Sequence, residues 1–124
     1  MESEGEHHWV LLDHRVSSFI VERRSFRLQT WSLDASIDVM VSGSATLHSQ
    51  AGGTRTVEAT RPESLAALLG FVGSEVRSVT VLTERQRLSV EFGDGTVLAV
   101  SGTGWSVSGA GALEGVLYEG ASSS

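Results

Sequence analysis

The chain repeats itself, and the repeat limits its fold more than any other feature. VSSFIV at Val16 returns as VRSVTV at Val76. LQTWSLDASIDVMVSG from Leu28 returns as LSVEFGDGTVLAVSG from Leu88, with one extra residue in the first copy. Ser42-Gly43 then falls on Ser101-Gly102, and SATLHSQAGGTRTVEA on TGWSVSGAGALEGVLY, so that Trp105 stands where the first copy has Thr46. A self-similar period of this length marks a duplicated supersecondary unit. Apolar residues alternate within each copy, as in Ile37, Val39, Val41 and Leu88, Val90, Phe92, and this is the period of half-buried strands. The expected fold is a β-rich α+β domain. Two duplicated antiparallel meanders, about residues 16–60 and 76–119, form a barrel or a sandwich around one core, with one connecting helix near 62–70. The domain covers residues 9–120, and the polar residues 1–8 read as a disordered tail.

The helix is marked by Thr60 and Glu63 at capping-box spacing, by Pro62 in the first turn, and by Leu65, Leu68 and Leu69 on one face. Gly70 or Gly73 can end it with a positive φ. Gly93-Asp94-Gly95 predicts a type I′ hairpin turn. Ala51-Gly52-Gly53 and Asp34-Ala35-Ser36 predict further turns, as does Thr83-Glu84-Arg85-Gln86. A β-bulge near Thr30-Trp31-Ser32 would absorb the extra residue and place Trp31 and Leu33 where Val90 and Phe92 stand.

Composition removes several chemistries. The 124 residues contain no cysteine, and all nine basic residues are arginine. Thiolate catalysis, cysteine-bound zinc, Schiff-base lysine and the P-loop lysine are therefore excluded. A net charge of -6 repels nucleic acid. No apolar run approaches the roughly 20 residues that span a bilayer. The start, MESEGEHH, lacks a basic-then-apolar secretory pattern, so a cytoplasmic protein is expected.

Motifs for chemistry are incomplete. His7, His8, His14, Asp13 and His48 have no metal-motif spacing. In Gly104-Trp105-Ser106-Val107-Ser108-Gly109 the serine spacing is one residue too long for a nucleophile elbow. The G-x-G pairs at Gly102 and Gly109 lack a third glycine and a following helix. Asp34 and Asp94 recur as turn residues, where Asp bonds the local backbone. No catalytic, cofactor or metal residues are expected. The candidate interaction residues are Arg23, Arg24 and Arg27 at the first repeat's turn, Arg85 and Arg87 at the equivalent turn of the second, and Trp105. If the two basic turns approach one face, they suit a carboxylate-rich surface or an anionic ligand.

The segments LAALLGFVGSEVRSVTV, LSVEFGDGTVLAV and GTGWSVSGAG resemble a family of small bacterial domains of unknown function, common in actinobacteria. Its members carry an ALLG-V-T helix exit, an LEFDDG-L-V hairpin and a terminal YEAWEVSGPG-like segment. Trp105, Val107, Ser108, Gly109 and Gly111 match that last signature, while Gly104, Ser106 and Ala110 depart from it. The resemblance implies a fold and an immunity-like or accessory role, and no mechanism. The expected function is non-enzymatic binding of another protein, with an edge strand as the route to a homodimer. The alternative is a small-ligand-binding barrel or sandwich that uses its end loops and Arg-rich turns.

Overall fold

The computed structural model describes residues 6–32, 35–82, 87–101, 104–111 and 117–119. Ten strands and one helix follow in the order β1 (Glu6–Val21), β2 (Phe26–Trp31), β3 (Ala35–Val41), β4 (Ser44–His48), β5 (Thr54–Glu58), α1 (Pro62–Leu69), β6 (Glu75–Leu82), β7 (Arg87–Phe92), β8 (Val97–Ser101), β9 (Trp105–Gly111) and β10 (Leu117–Glu119). They form a single sheet, antiparallel throughout, in the order β10-β9-β3-β2-β1-β6-β7-β8-β4-β5.

This order reads the same from either end once the repeats are exchanged. β1 and β6 pair at the centre, and the meanders β1-β2-β3 and β6-β7-β8 run outward from them. The last hairpin of each repeat is exchanged. β4–β5 adds to β8 of the second copy, and β9–β10 adds to β3 of the first. Both β1 and β6 carry a bulge at the same place, between Val16 and Ser18 and between Val76 and Ser78. The duplication is therefore structural, and each half supplies the other's flank.

The sheet is not closed, because among the described residues β5 pairs only with β4 and β10 only with β9. Among the described residues it nevertheless buries a continuous core on one face. Phe26, Val41, Val57, Leu68, Val76, Val79, Phe92, Leu98 and Val107 are fully buried in one cluster. Ten flat strands would be roughly 45 Å wide. A helix of 8 residues cannot cover that width, so the sheet folds over its own core in the manner of a sandwich. Helix α1 fills the opening by packing on edge strand β5 and on central strand β1. The turn after it joins the sheet, with Val16 N–H donating to Ser74 O at 2.9 Å and Gly73 N–H to Val16 O at 2.8 Å.

Several local expectations are revised. Of the residues expected as a tail, Glu6, His7 and His8 pair with Leu82, Val81 and Thr80, and residues 1–5 lie outside the described residues. Arg61, not Thr60, caps α1, without a side-chain bond; the Ser64 hydroxyl instead accepts from Glu58 N–H at 2.9 Å. Gly73 takes the positive φ, at 89°. In the Gly93-Asp94-Gly95 turn only Gly95 has positive φ, at 90°. Phe92 pairs with Thr96 around it, so three loop residues end in a left-handed glycine instead of the two of a type I′ turn. Gly52, at 103°, does the same between Ser49 and Gly53. Ser32 N–H donates to Ala35 O at 2.9 Å, one residue ahead of the turn expected at Asp34-Ala35-Ser36. Leu33, Asp34 and the turn 83–86 lie outside the described residues.

The register within the repeat also differs. β2 pairs with β1 without a bulge of its own at Thr30–Trp31, and Phe26, Leu28 and Thr30 stand where Leu88, Val90 and Phe92 stand in the second copy. Trp31 points outward. Thr30 is tolerated inside because its hydroxyl shares a 3.2 Å hydrogen bond with Nδ1 of buried His14, which satisfies both groups. In the exchanged hairpins Thr46 pairs with Ala99 as Ser106 pairs with Met40. Trp105 therefore occupies the place of Ala45, not of Thr46.

Candidate functional site

β2 exposes alternate residues, and Arg27, Gln29 and Trp31 face outward. Trp31 is the last of them and is 57% exposed. Its neighbours in register are Arg15 on β1 and Ser36 on β3, and Ser36 in turn pairs with Ala110 on β9. The indole thus stands on the outer face between a guanidinium and a floor of small side chains. Arg15 is itself anchored, donating from Nη1 to Gly73 O at 3.0 Å. It lies opposite Glu75 across the central β1–β6 pair.

The candidate arginines do not form one patch. Arg23 and Arg24 are exposed in the turn between β1 and β2. Arg87 opens β7 opposite Leu82, which pairs with Glu6 at the start of β1. Because β1 and β6 are antiparallel, Arg23 and Arg24 follow one end of the long strand β1 while Arg87 lies beside the other. Arg85 lies outside the described residues. Arg27 is already paired, with Asp38 Oδ2 at 3.0 Å and Glu22 Oε1 at 3.4 Å. Asp38 foremost, and then Glu22, hold its pKa above the ordinary value. Glu22 is held below its own, chiefly by the bond from Ser25 and then by Arg27. In the second repeat Ser89 and Val97 replace Arg27 and Asp38. Ser89 borders a largely polar depression of about 300 Å³, lined also by Arg87, His48, Ser44, Thr46 and Ser101.

Trp105 is 2% exposed and belongs to the core, so it offers no surface for a partner. Trp31, which the bulge expected near Thr30-Trp31-Ser32 would turn inward, is instead the tryptophan on the surface. The signal for it was parity, since Trp31 alternates with Arg27 and Gln29 rather than with Phe26 and Leu28. The histidines are dispersed. His8 bonds Thr80 Oγ1 at 2.6 Å on the surface, and His14 is buried, which lowers its pKa. Among the described residues no three potential metal ligands gather. Ser106, Ser108, Gly109 and Gly111 lie within β9 and open no helix. Asp94 accepts from Thr96 N–H at 2.9 Å and is held below its ordinary pKa by that bond, as a turn residue is.

Among the described residues no helix is long and apolar enough to cross a membrane. No protein-family model, curated protein or solved structure matches the chain.

Proposed function

We propose that this domain is a non-enzymatic protein-binding module that engages its partner through the outer face around Trp31 and Arg15. The observation that carries the reading is an exposed indole on the rigid face of a sheet whose interior is filled. Burying an exposed Trp yields a large gain at little entropic cost, and Trp and Arg are the side chains most enriched at interface hot spots. The complementary surface offers an apolar socket for the indole and a carboxylate for Arg15. Membership of the actinobacterial family that GTGWSVSGAG resembles, and with it an immunity-like or accessory role in the cytoplasm, belongs to the same proposal. Edge strand β10, at the other end of the sheet, is the route by which a second copy would extend the sheet.

The test is capture of partners from the source organism with the wild-type chain and with Trp31→Ala. One protein retained by the wild type and lost by the variant supports the reading. Equal retention by both, no retained protein, or a stoichiometric small molecule in its place overturns it.

A further inference from the structure

Beyond protein binding, we propose that the open end of the sheet holds a small amphipathic monoanion, a carboxylate on a short apolar body, with Arg55 as its counter-charge. A cavity of about 300 Å³ lies between the β4–β5 hairpin, helix α1 and the start of β8. Its apolar wall is Leu47, Ala67 and Phe71, and the Phe71 ring is held by stacking on Phe92 with centroids 4.3 Å apart. Arg55 stands at the rim. It is opposite Leu47 in register and shares the inward parity of Val57, which is fully buried. An exposed guanidinium thus borders an open, partly apolar depression at the free end of edge strand β5.

Among the described residues this guanidinium has no ion-pair partner, as holds also for Arg15, Arg23, Arg24 and Arg87, while Arg27, Arg61 and Arg77 each face a carboxylate; Arg55 is distinguished by the apolar side chains it borders. The Ser49 hydroxyl on the same rim accepts from Ala51 N–H at 3.0 Å, which leaves its proton for a ligand oxygen. A carboxylate satisfies both donors, and Arg binds it with two parallel bonds. The net charge of -6 disfavours polyanions, so one negative charge with an apolar remainder is the ligand class. The volume equals that of about ten liquid waters, which suits a ligand of similar heavy-atom count. The arginine is particular to the first copy, since Tyr118 takes the corresponding register position opposite Val107.

A charge on an edge strand also guards against sheet-to-sheet aggregation, and the experiment separates the two roles. The full chain is titrated with hexanoate and phenylacetate, and with hexanamide and phenylacetamide, while backbone amide shifts are followed by NMR. A ligand this small binds at roughly millimolar strength. Saturable shifts centred on Leu47, Arg55, Ala67 and Phe71 are expected, with the acids at least tenfold tighter than the amides. Arg55→Gln should remove that preference while leaving amide binding intact, and Ala67→Phe should block both series. Trp31→Ala should change none of this, so failure here is distinct from failure of the protein-binding reading. No saturable shift at these residues, equal binding of acid and amide, or an acid preference that survives Arg55→Gln overturns the proposal and leaves Arg55 as an edge guard.

Discussion

Trp31 and Trp105 have the same side chain and opposite tasks. Trp105 is buried against the core, so Trp105→Ala should cost about 3–5 kcal/mol in chemical denaturation. Trp31→Ala should change stability by no more than about 0.5 kcal/mol while weakening partner binding roughly 30-fold or more, read by calorimetry. His14 is the residue that couples stability to pH. Burial lowers its pKa below the ordinary 6.5, so the unfolded chain takes up the proton first. Its contribution is complete above that ordinary value and is lost as pH falls through 6.5 toward the depressed folded value. Asp94, also held low, loses its contribution in a separate window, below its ordinary 3.8. Thermal melts taken from pH 8 down to pH 5 should show a midpoint that falls as the pH is lowered for the wild type and a flatter profile for His14→Gln. An unchanged slope in the variant would remove His14 as the cause. Neither the buried histidine nor its Thr30 partner was legible in the sequence. Two polar residues 16 apart look like surface residues until the β1–β2 register brings them together.

At the level of elements, alternation and turn chemistry are local, and the strands and the helix Pro62–Leu69 were accordingly readable. Turn type was less so, because two-residue and three-residue loops both use glycine. Gly52 and Gly95 now separate two costs. Gly52 has open space around a built Cβ, so Gly52→Ala should cost only the left-handed penalty of about 1–2 kcal/mol. At Gly95 a Cβ would also meet Gln50, whose exposed Oε1 at 2.6 Å can swing away but whose Cβ stays at 3.2 Å. Gly95→Ala should therefore cost more, and adding Gln50→Gly should reduce the excess in a double-mutant cycle. Equal costs at the two positions would mean that Gln50 moves aside freely.

For the whole molecule, the exchange of hairpins makes the halves interdependent. Residues 6–60 alone retain β1-β2-β3 but leave β4–β5 without its partner β8, and residues 61–119 lose the partner of β9. Each half expressed alone should give a collapsed, poorly dispersed amide spectrum, and the two together should give the dispersion of the intact chain. A half that folds alone would mean that its hairpin can return to its own meander. The duplication was legible because it is written in the spacing of apolar residues and turns. The exchange was not, because β3 and β8 offer the same alternating edge, and nothing local to β4 says which of them it will join.

The sequence by itself determined the class of fold, the duplication, the single helix and the absence of thiol and lysine chemistry, since each depends on residue type and short-range spacing. Only the tertiary structure decided which tryptophan faces solvent, which arginines are already paired, and that Arg55 borders the depression beside Leu47, Ala67 and Phe71. These depend on register and on contacts between segments far apart in the chain. A shift of one residue in a strand moves every side chain to the opposite face, and no local pattern fixes that shift when an inward threonine is satisfied by a histidine from a neighbouring strand.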